Sequence, residues 1–203
     1  MDSIVKERSG KMNRETLTEQ ILQYVPFNEQ EEKDKALILS MLAQYGSLFE
    51  RSCGIAHMTA SAWTVNESFT KAVMCYHNIY NSWSWLGGHA DGNEDLPAVA
   101  LKEVREESGI DSLRLYSEDI FSLESLTVDG HVKKGIYVPS HIHLNITYLV
   151  IADEAAPLSA CEGENSGVRW FSLEDAVNAS TEPWFQEHVY RKLNAKLSLL
   201  RNG

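Results

Sequence analysis

The sequence predicts an α/β fold, a sandwich of helices about a mixed sheet with a helical extension at its N-terminus. Three observations carry that expectation. Apolar residues recur at helical spacing between residues 14 and 45, and the period changes to two from Ile55 onward. The later strand-like runs are then separated by helical stretches without regular alternation.

The elements follow in order. Leu17, Ile21, Leu22 and Val25 line one face of a helix beginning at Arg14, which Pro26 ends. A second helix runs from about Glu29 to Tyr45, with Ala36, Leu37, Leu39, Met41 and Leu42 apolar and Gly46 as its stop. Residues 1–50 are therefore read as a helical extension, and 51–203 as the main domain. The extension suits a lid, a dimer surface or structural support. Ile55–Val65 and Thr70–His77 are rich in β-branched and aromatic residues around Asn66-Glu67-Ser68, which predicts a hairpin. After Trp83-Ser84-Trp85-Leu86 and a glycine loop, a helix is expected from about Asp95 to Ser108. Strands are expected near Leu113–Leu126, His141–Ala152 and Val168–Phe171, a helix from about Ser172, and a last helix over Glu182–Leu200.

Bulk properties narrow the function. A length of 203 residues suits one globular domain with an added segment. The formal net charge of −11 repels nucleic-acid backbones and argues against a nucleic-acid partner. It leaves open a small phosphate-bearing substrate, because a divalent cation can sit between acidic side chains and phosphate oxygens. No apolar run approaches the ~20 residues that span a bilayer, so no membrane role is expected. The charged start from Met1 to Arg8 lacks signal-peptide character, which makes the cytoplasm the default. Cys53, Cys75 and Cys161 have no metal-ligand spacing and read as reduced, buried thiols.

One segment stands apart, from Gly87-Gly88-His89 through Asp95-Leu96-Pro97 to Glu103, Glu106-Glu107 and Gly109-Ile110. The glycines let backbone approach a ligand closely. Asp95 is placed to cap the helix, Pro97 is tolerated in the first turn, and Gly109 suits the left-handed position after the last turn. Glu103, Glu106 and Glu107 stand at i, i+3 and i+4 and share one helical face. Clustered carboxylates repel one another, and a hard cation such as Mg²⁺ or Mn²⁺ relieves that repulsion. The bland alternative, a solvated acidic face partnered by Lys102 and Arg105, does not explain the glycine loop at fixed spacing beside it.

This segment resembles the Nudix box. Gly88, Glu94, Glu103, Val104, Glu106, Glu107, Gly109 and Ile110 fall on the family's positions, and Lys102 stands where the family has Arg. Lysine keeps the charge but lacks the planar fork that orients a carboxylate through two hydrogen bonds. The resemblance covers about residues 55–180. It implies a Nudix-like α/β/α sandwich and a hydrolase that cleaves a phosphoanhydride bond in a small nucleotide-like diphosphate. It implies one to three Mg²⁺ ions (or Mn²⁺) held by Glu103, Glu106 and Glu107. The late segment Glu164 to Phe171 resembles the loop and strand from which many members bring a further glutamate. The catalytic set is thus Glu103, Glu106, Glu107 and Glu164, with Glu103 or Glu164 as general base and Glu162 a rival from the same loop. Members of the family often form homodimers.

For substrate contact the candidates are Gly87 and Gly88 together with His141, His143 and Asn145, which share one face of a predicted strand. A histidine pair at i, i+2 also suits Zn²⁺, although no third ligand is visible nearby in sequence. The alternative for these residues is a solvent-facing strand end. His89 is a weaker candidate for phosphate contact, and Tyr76, Tyr80, Trp83 and Trp85 are candidates for base stacking, with Trp63 and Trp170 assigned to the core. Two other functional readings remain: a nucleotide-sensing module without turnover, and a prenyl diphosphate isomerase using Cys75. Retention of every box carboxylate favours the hydrolase.

Overall fold

The computed structural model describes residues 11–133, 135–161, 163 and 165–202. Helix α1 (Arg14–Gln23) starts from Asn13, whose side chain accepts the Thr16 N–H at 3.0 Å. The Thr16 hydroxyl in turn accepts the Asn13 N–H at 2.9 Å, closing a capping box. Helix α2 (Glu29–Gln44) is capped in the same way by Asn28, which accepts the Glu31 N–H. Leu17, Ile21, Ile38 and Leu42 from these helices join one apolar cluster with Met58, Ala60, Leu144 and Tyr148 of the sheet. The extension is therefore part of the main core, which favours structural support among its expected roles.

The sheet is mixed. Its central strands, β1 (Ala56–Val65) and β9 (His141–Ala152), run parallel and pair along their whole length, from Ala56 opposite Ile142 to Val65 opposite Ile151. On the other edge of β1 lie β2 (Lys71–His77), paired at Val65 and Ala72, and β4 (Leu86–His89), paired from Ala62 to Thr59. The expected hairpin thus closes at its turn only. Beyond it β4 occupies the edge of β1, and β2 pairs instead with β3 (Ser82–Ser84) and β10 (Asn165–Ser172). The strand region expected near 113–126 holds two strands, β5 (Leu113–Leu115) and β6 (Ser122–Val128), both antiparallel to β9. A separate hairpin follows, β7 (His131–Lys133) with β8 (Ile136–Val138).

All of β1 is buried because both its faces are covered. Met58, Ala60 and Ala62 pack beneath α3 (Leu96–Ser108), against Leu96, Val99, Ala100 and Val104. Trp63 and Val65 face the other way, toward Tyr190, Leu193 and Leu197 at the C-terminal end. After α4 (Leu173–Ala179), that end is a short helix α5 (Pro183–Phe185), a π turn over Gln186–Tyr190, and α6 (Arg191–Asn202). The α/β sandwich is as expected, with the π turn an addition that a 3.6-residue period does not reveal. No helix among the described residues is long and apolar enough to cross a membrane.

Candidate active site

The glycine strand and the acidic helix meet face to face. Glu107 is buried, and its Oε2 accepts the backbone N–H of Gly87 at 2.9 Å. Glu103 lies against Gly88: a Cβ at residue 88 would stand 2.5 Å from the Glu103 Oε2. Close approach of a carboxylate to backbone is what glycine permits here. Glu106 is half exposed on the same helical face. The Lys102 Nζ lies 3.2 Å from Glu103 Oε1 and 2.7 Å from Glu106 Oε2, so one ammonium spans two of the carboxylates. Its hydrogen bond to Glu106, then that to Glu103, hold Lys102 above the usual lysine range. Three hard oxygen donors, two of them drawn to one cation, fit Mg²⁺ or Mn²⁺.

The helix ends partly as expected. Gly109 takes the left-handed conformation at φ 73° and donates to the Arg105 carbonyl. Asp95 stands at the N-cap, but its side chain makes no capping bond; the Asn93 side chain accepts the Asp95 N–H at 3.1 Å and shapes the turn. Glu94, also on the box pattern, accepts the Arg14 N–H at the start of α1 at 2.9 Å. A carboxylate at a helix N-terminus complements its dipole. The Arg14 side chain then binds the carbonyls of Tyr45 at 2.7 Å and Gly46 at 2.9 Å, so the box, α1 and the end of α2 are tied together.

Two glycine substitutions separate activity from stability. In Gly88→Ala the clash is with the tip of a flexible side chain, so the fold survives and the Glu103 carboxylate moves. A displacement of ~1 Å costs about a hundredfold in rate, read as kcat/KM beside an unchanged melting curve. In Gly87→Ala the new Cβ meets backbone, the Ala60 carbonyl and the Ser61 Cα, each at 2.7 Å, which cannot yield cheaply. That variant is expected to melt lower than the parent, and equal melting of the two variants contradicts the contrast.

The other expected site residues divide. Glu164 and Glu162 lie outside the described residues. His141, His143 and Asn145 do share a strand face, but Asn145 is 1% exposed and bound entirely within the protein. Its Oδ1 accepts from Thr59 at 2.9 Å and Ser61 at 2.8 Å, and its amide donates to Glu124 at 2.9 Å. Asn145, expected as a substrate contact, is placed at the hub of a buried polar network. That network continues into charges that no sequence pattern singled out. Lys192 sits 2.9 Å from Glu124 and 3.3 Å from Glu31, and Lys196 sits 2.8 Å from Glu31.

The aromatic candidates also divide. Trp85 packs on Tyr190, and Trp83 packs against Phe171 beneath the Arg169 guanidinium, whereas Tyr80 is exposed. Trp63 is fully buried and Trp170 partly so. Cys75, the isomerase candidate, is 1% exposed in the core, and Cys161 is only partly buried, unlike the thiol expected there.

His141 and His143 belong to a larger group with His57 and His89. Burial, and after it the proximity of His89, His57, His141 and Arg51, lower His143 to about 2; burial also lowers His57. Both imidazoles are therefore neutral in the fold, while in the unfolded chain they take up protons near pH 6.5. Stability is full above about pH 6.5 and falls as pH drops toward the folded values. Melting temperature is expected to decline from about pH 6.5 downward, with a shallower slope in His143→Gln. Parallel slopes in the two proteins exclude this cause.

The family profile described as NUDIX domain matches residues 56–193. A solved NUDIX-family hydrolase from Clostridium perfringens is 24% identical, with 71% of this chain and 97% of that one covered and a TM-score of 0.51. The Ap4A hydrolase of C. elegans is 20% identical, covering 72% and 98%, with a TM-score of 0.53. No curated protein matches the sequence significantly. The chain belongs to the NUDIX family and is, in class, a Nudix pyrophosphohydrolase.

Proposed function

We propose that the enzyme cleaves a phosphoanhydride bond in a nucleoside diphosphate derivative or nucleoside triphosphate, with Mg²⁺ held by Glu103, Glu106 and Glu107. The observation that carries this is the approach of Glu103 and Glu107 to the Gly88 and Gly87 backbone, which holds two oxygen donors of α3 against the glycine strand β4. Bound there, the metal supplies charge neutralisation on phosphate oxygens and a more acidic water. The chain's own residues do the rest. The Gly87 N–H orients Glu107, Gly88 leaves room for the Glu103 carboxylate, and Lys102 limits repulsion between Glu103 and Glu106 until a divalent ion takes over that task. Glu103 or Glu164 receives the proton of the attacking water. Lysine at position 102 is a flexible point charge where arginine is a fork. Lys102→Arg is therefore expected to change kcat/KM only a few-fold, with direction set by how well the fork fits; a loss beyond about tenfold contradicts that minor role.

Under the same proposal the protein works in the cytoplasm on a small nucleotide-like diphosphate, without nucleic acid or membrane partners. Residues 1–50 are a helical extension of a domain at 51–203, and a homodimer is the expected assembly, open to sizing by light scattering. The test of function is a panel of nucleoside triphosphates, nucleotide sugars, dinucleotides and dinucleoside polyphosphates, with and without Mg²⁺, read by product mass. Ap4A belongs in the panel because the C. elegans neighbour is named for it. Mg²⁺-dependent cleavage supports the hydrolase. Nucleotide binding with no cleavage across the panel favours a sensing module instead.

A further inference from the structure

Four of the seven histidines converge on the sheet face that looks away from α3. The register explains how. His57 on β1 lies opposite His143 on the parallel strand β9, Thr59 lies opposite His89 on β4, and His141 is two residues before His143. Gly88 and His89 are neighbours in one strand and so point to opposite faces. Gly88 meets Glu103 on the α3 side, which puts His89 and its partners on the other side of the sheet from the carboxylates. The ring of His57 lies 5.1 Å from that of His89 and 4.9 Å from that of His143, and the His89 and His143 rings are 4.8 Å apart.

We propose that His57, His89 and His143, with His141 as a fourth donor, form a binding site for Zn²⁺ or a similar imidazole-preferring divalent ion. One ligand nitrogen from each of His57, His89 and His143 lies within 4.8 Å of the others. Small ring rotations bring such nitrogens to the ~3.4 Å separation of donors placed about 2.1 Å from a tetrahedral ion. The His141 and His143 Nε2 atoms are already 3.2 Å apart.

Tautomers support the assignment. The His57 Nδ1 faces the Cys53 carbonyl at 3.4 Å, and the His141 Nδ1 faces the Pro139 carbonyl at 2.8 Å. A carbonyl only accepts, so both Nδ1 atoms carry the hydrogen and both Nε2 atoms present lone pairs. Metal-ligating histidines are commonly oriented in this way, with the second nitrogen donating to backbone. His57 is 5% exposed, and among the described residues its Nε2 has no hydrogen-bond partner. An unsatisfied buried acceptor is destabilising, and a metal bond would offset that. The donors are all nitrogen, unlike the all-oxygen set of the box, so the two sites suit different ions.

The test is metal binding, independent of turnover. Chelator-stripped full-length protein is titrated with Zn²⁺ against a colorimetric chelator and with Co²⁺ by visible absorption. The expected result is one tightly bound ion per chain, with the Co²⁺ spectrum of a four-coordinate nitrogen site. Glu106→Gln should leave that binding unchanged, whereas His89→Gln and His141→Gln should weaken it at least about tenfold. If a histidine variant fails to fold, imidazole NMR signals of the unaltered protein give the same answer, because Zn²⁺ should shift those of the cluster and leave His188 in place. Absence of stoichiometric binding overturns the proposal. So does binding that Glu106→Gln removes, or binding that leaves the cluster's signals unmoved.

Discussion

Glu107→Gln should lower kcat/KM by about 10²–10⁴ while the melting temperature stays close to that of the parent. Glutamine matches glutamate in shape, and its amide oxygen can still accept the Gly87 N–H that Glu107 takes at 2.9 Å. The local fold is therefore kept. What disappears is the negative charge on a donor that is only 7% exposed, where water cannot compensate for it. Each factor of ten in rate corresponds to 1.36 kcal/mol, so the expected loss is about 3–5 kcal/mol of transition-state stabilisation. Raising Mg²⁺ should recover part of the rate. Glu106→Gln is expected to act in the same direction, although that side chain is half exposed and partnered by Lys102. Rates within tenfold of the parent in both variants would remove these glutamates from the metal site.

Lys192→Met should destabilise the fold by about 3–5 kcal/mol, measured as the free energy of urea unfolding, without altering the carboxylate box. The Lys192 side chain is 2% exposed, and Glu31 and Glu124 beside it are fully buried. Burial alone would raise Glu31, but attraction to Lys192 and then Lys196 wins and holds it below the usual carboxylate range. The same balance raises Lys192, where Glu124 and then Glu31 outweigh the effect of burial. Two acids and two amines are thus close to neutral as a set, and losing one amine leaves an uncompensated buried charge. Glu31 contributes stability above its unfolded pKa near 4.5, and that contribution is lost as pH falls through the lower folded value. The double variant Lys192→Met with Glu124→Leu should cost less than the sum of the single changes. Strict additivity, or a single-variant cost below about 1 kcal/mol, contradicts the coupling.

Much of this was legible in residue order because it depends on local periods. Leu17 and Ile21, the alternation of β9, and the spacing from Gly88 to Gly109 each specify their element without distant information. The box is also readable because glycine and glutamate are required there by a close approach, not by general propensity. What sequence could not supply depends on pairing between distant strands. His57 lies in the apolar run of β1, and only the parallel register places it opposite His143, 86 residues later. Glu31 is one of several acids at the start of α2, and Lys192 and Lys196 resemble solvated helix charges until α6 docks. The surroundings of Asn145 are hidden in residue order for a related reason: a polar strand face reads as an opening, whereas here Thr59, Ser61 and Glu124 close over it.

The placement of Glu31 has a consequence for how this enzyme could be inherited. The family profile begins at residue 56, yet one of the two acids that neutralise Lys192 and Lys196 comes from α2. A chain starting at residue 51 would set two buried amines against Glu124 alone and uncover the side of the core that Leu17, Ile21, Ile38 and Leu42 fill. The first two helices are consequently not a portable accessory that recombination could shed or trade between relatives. A change at Glu31 is expected to be tolerable only alongside a matching change at Lys192 or Lys196 in α6.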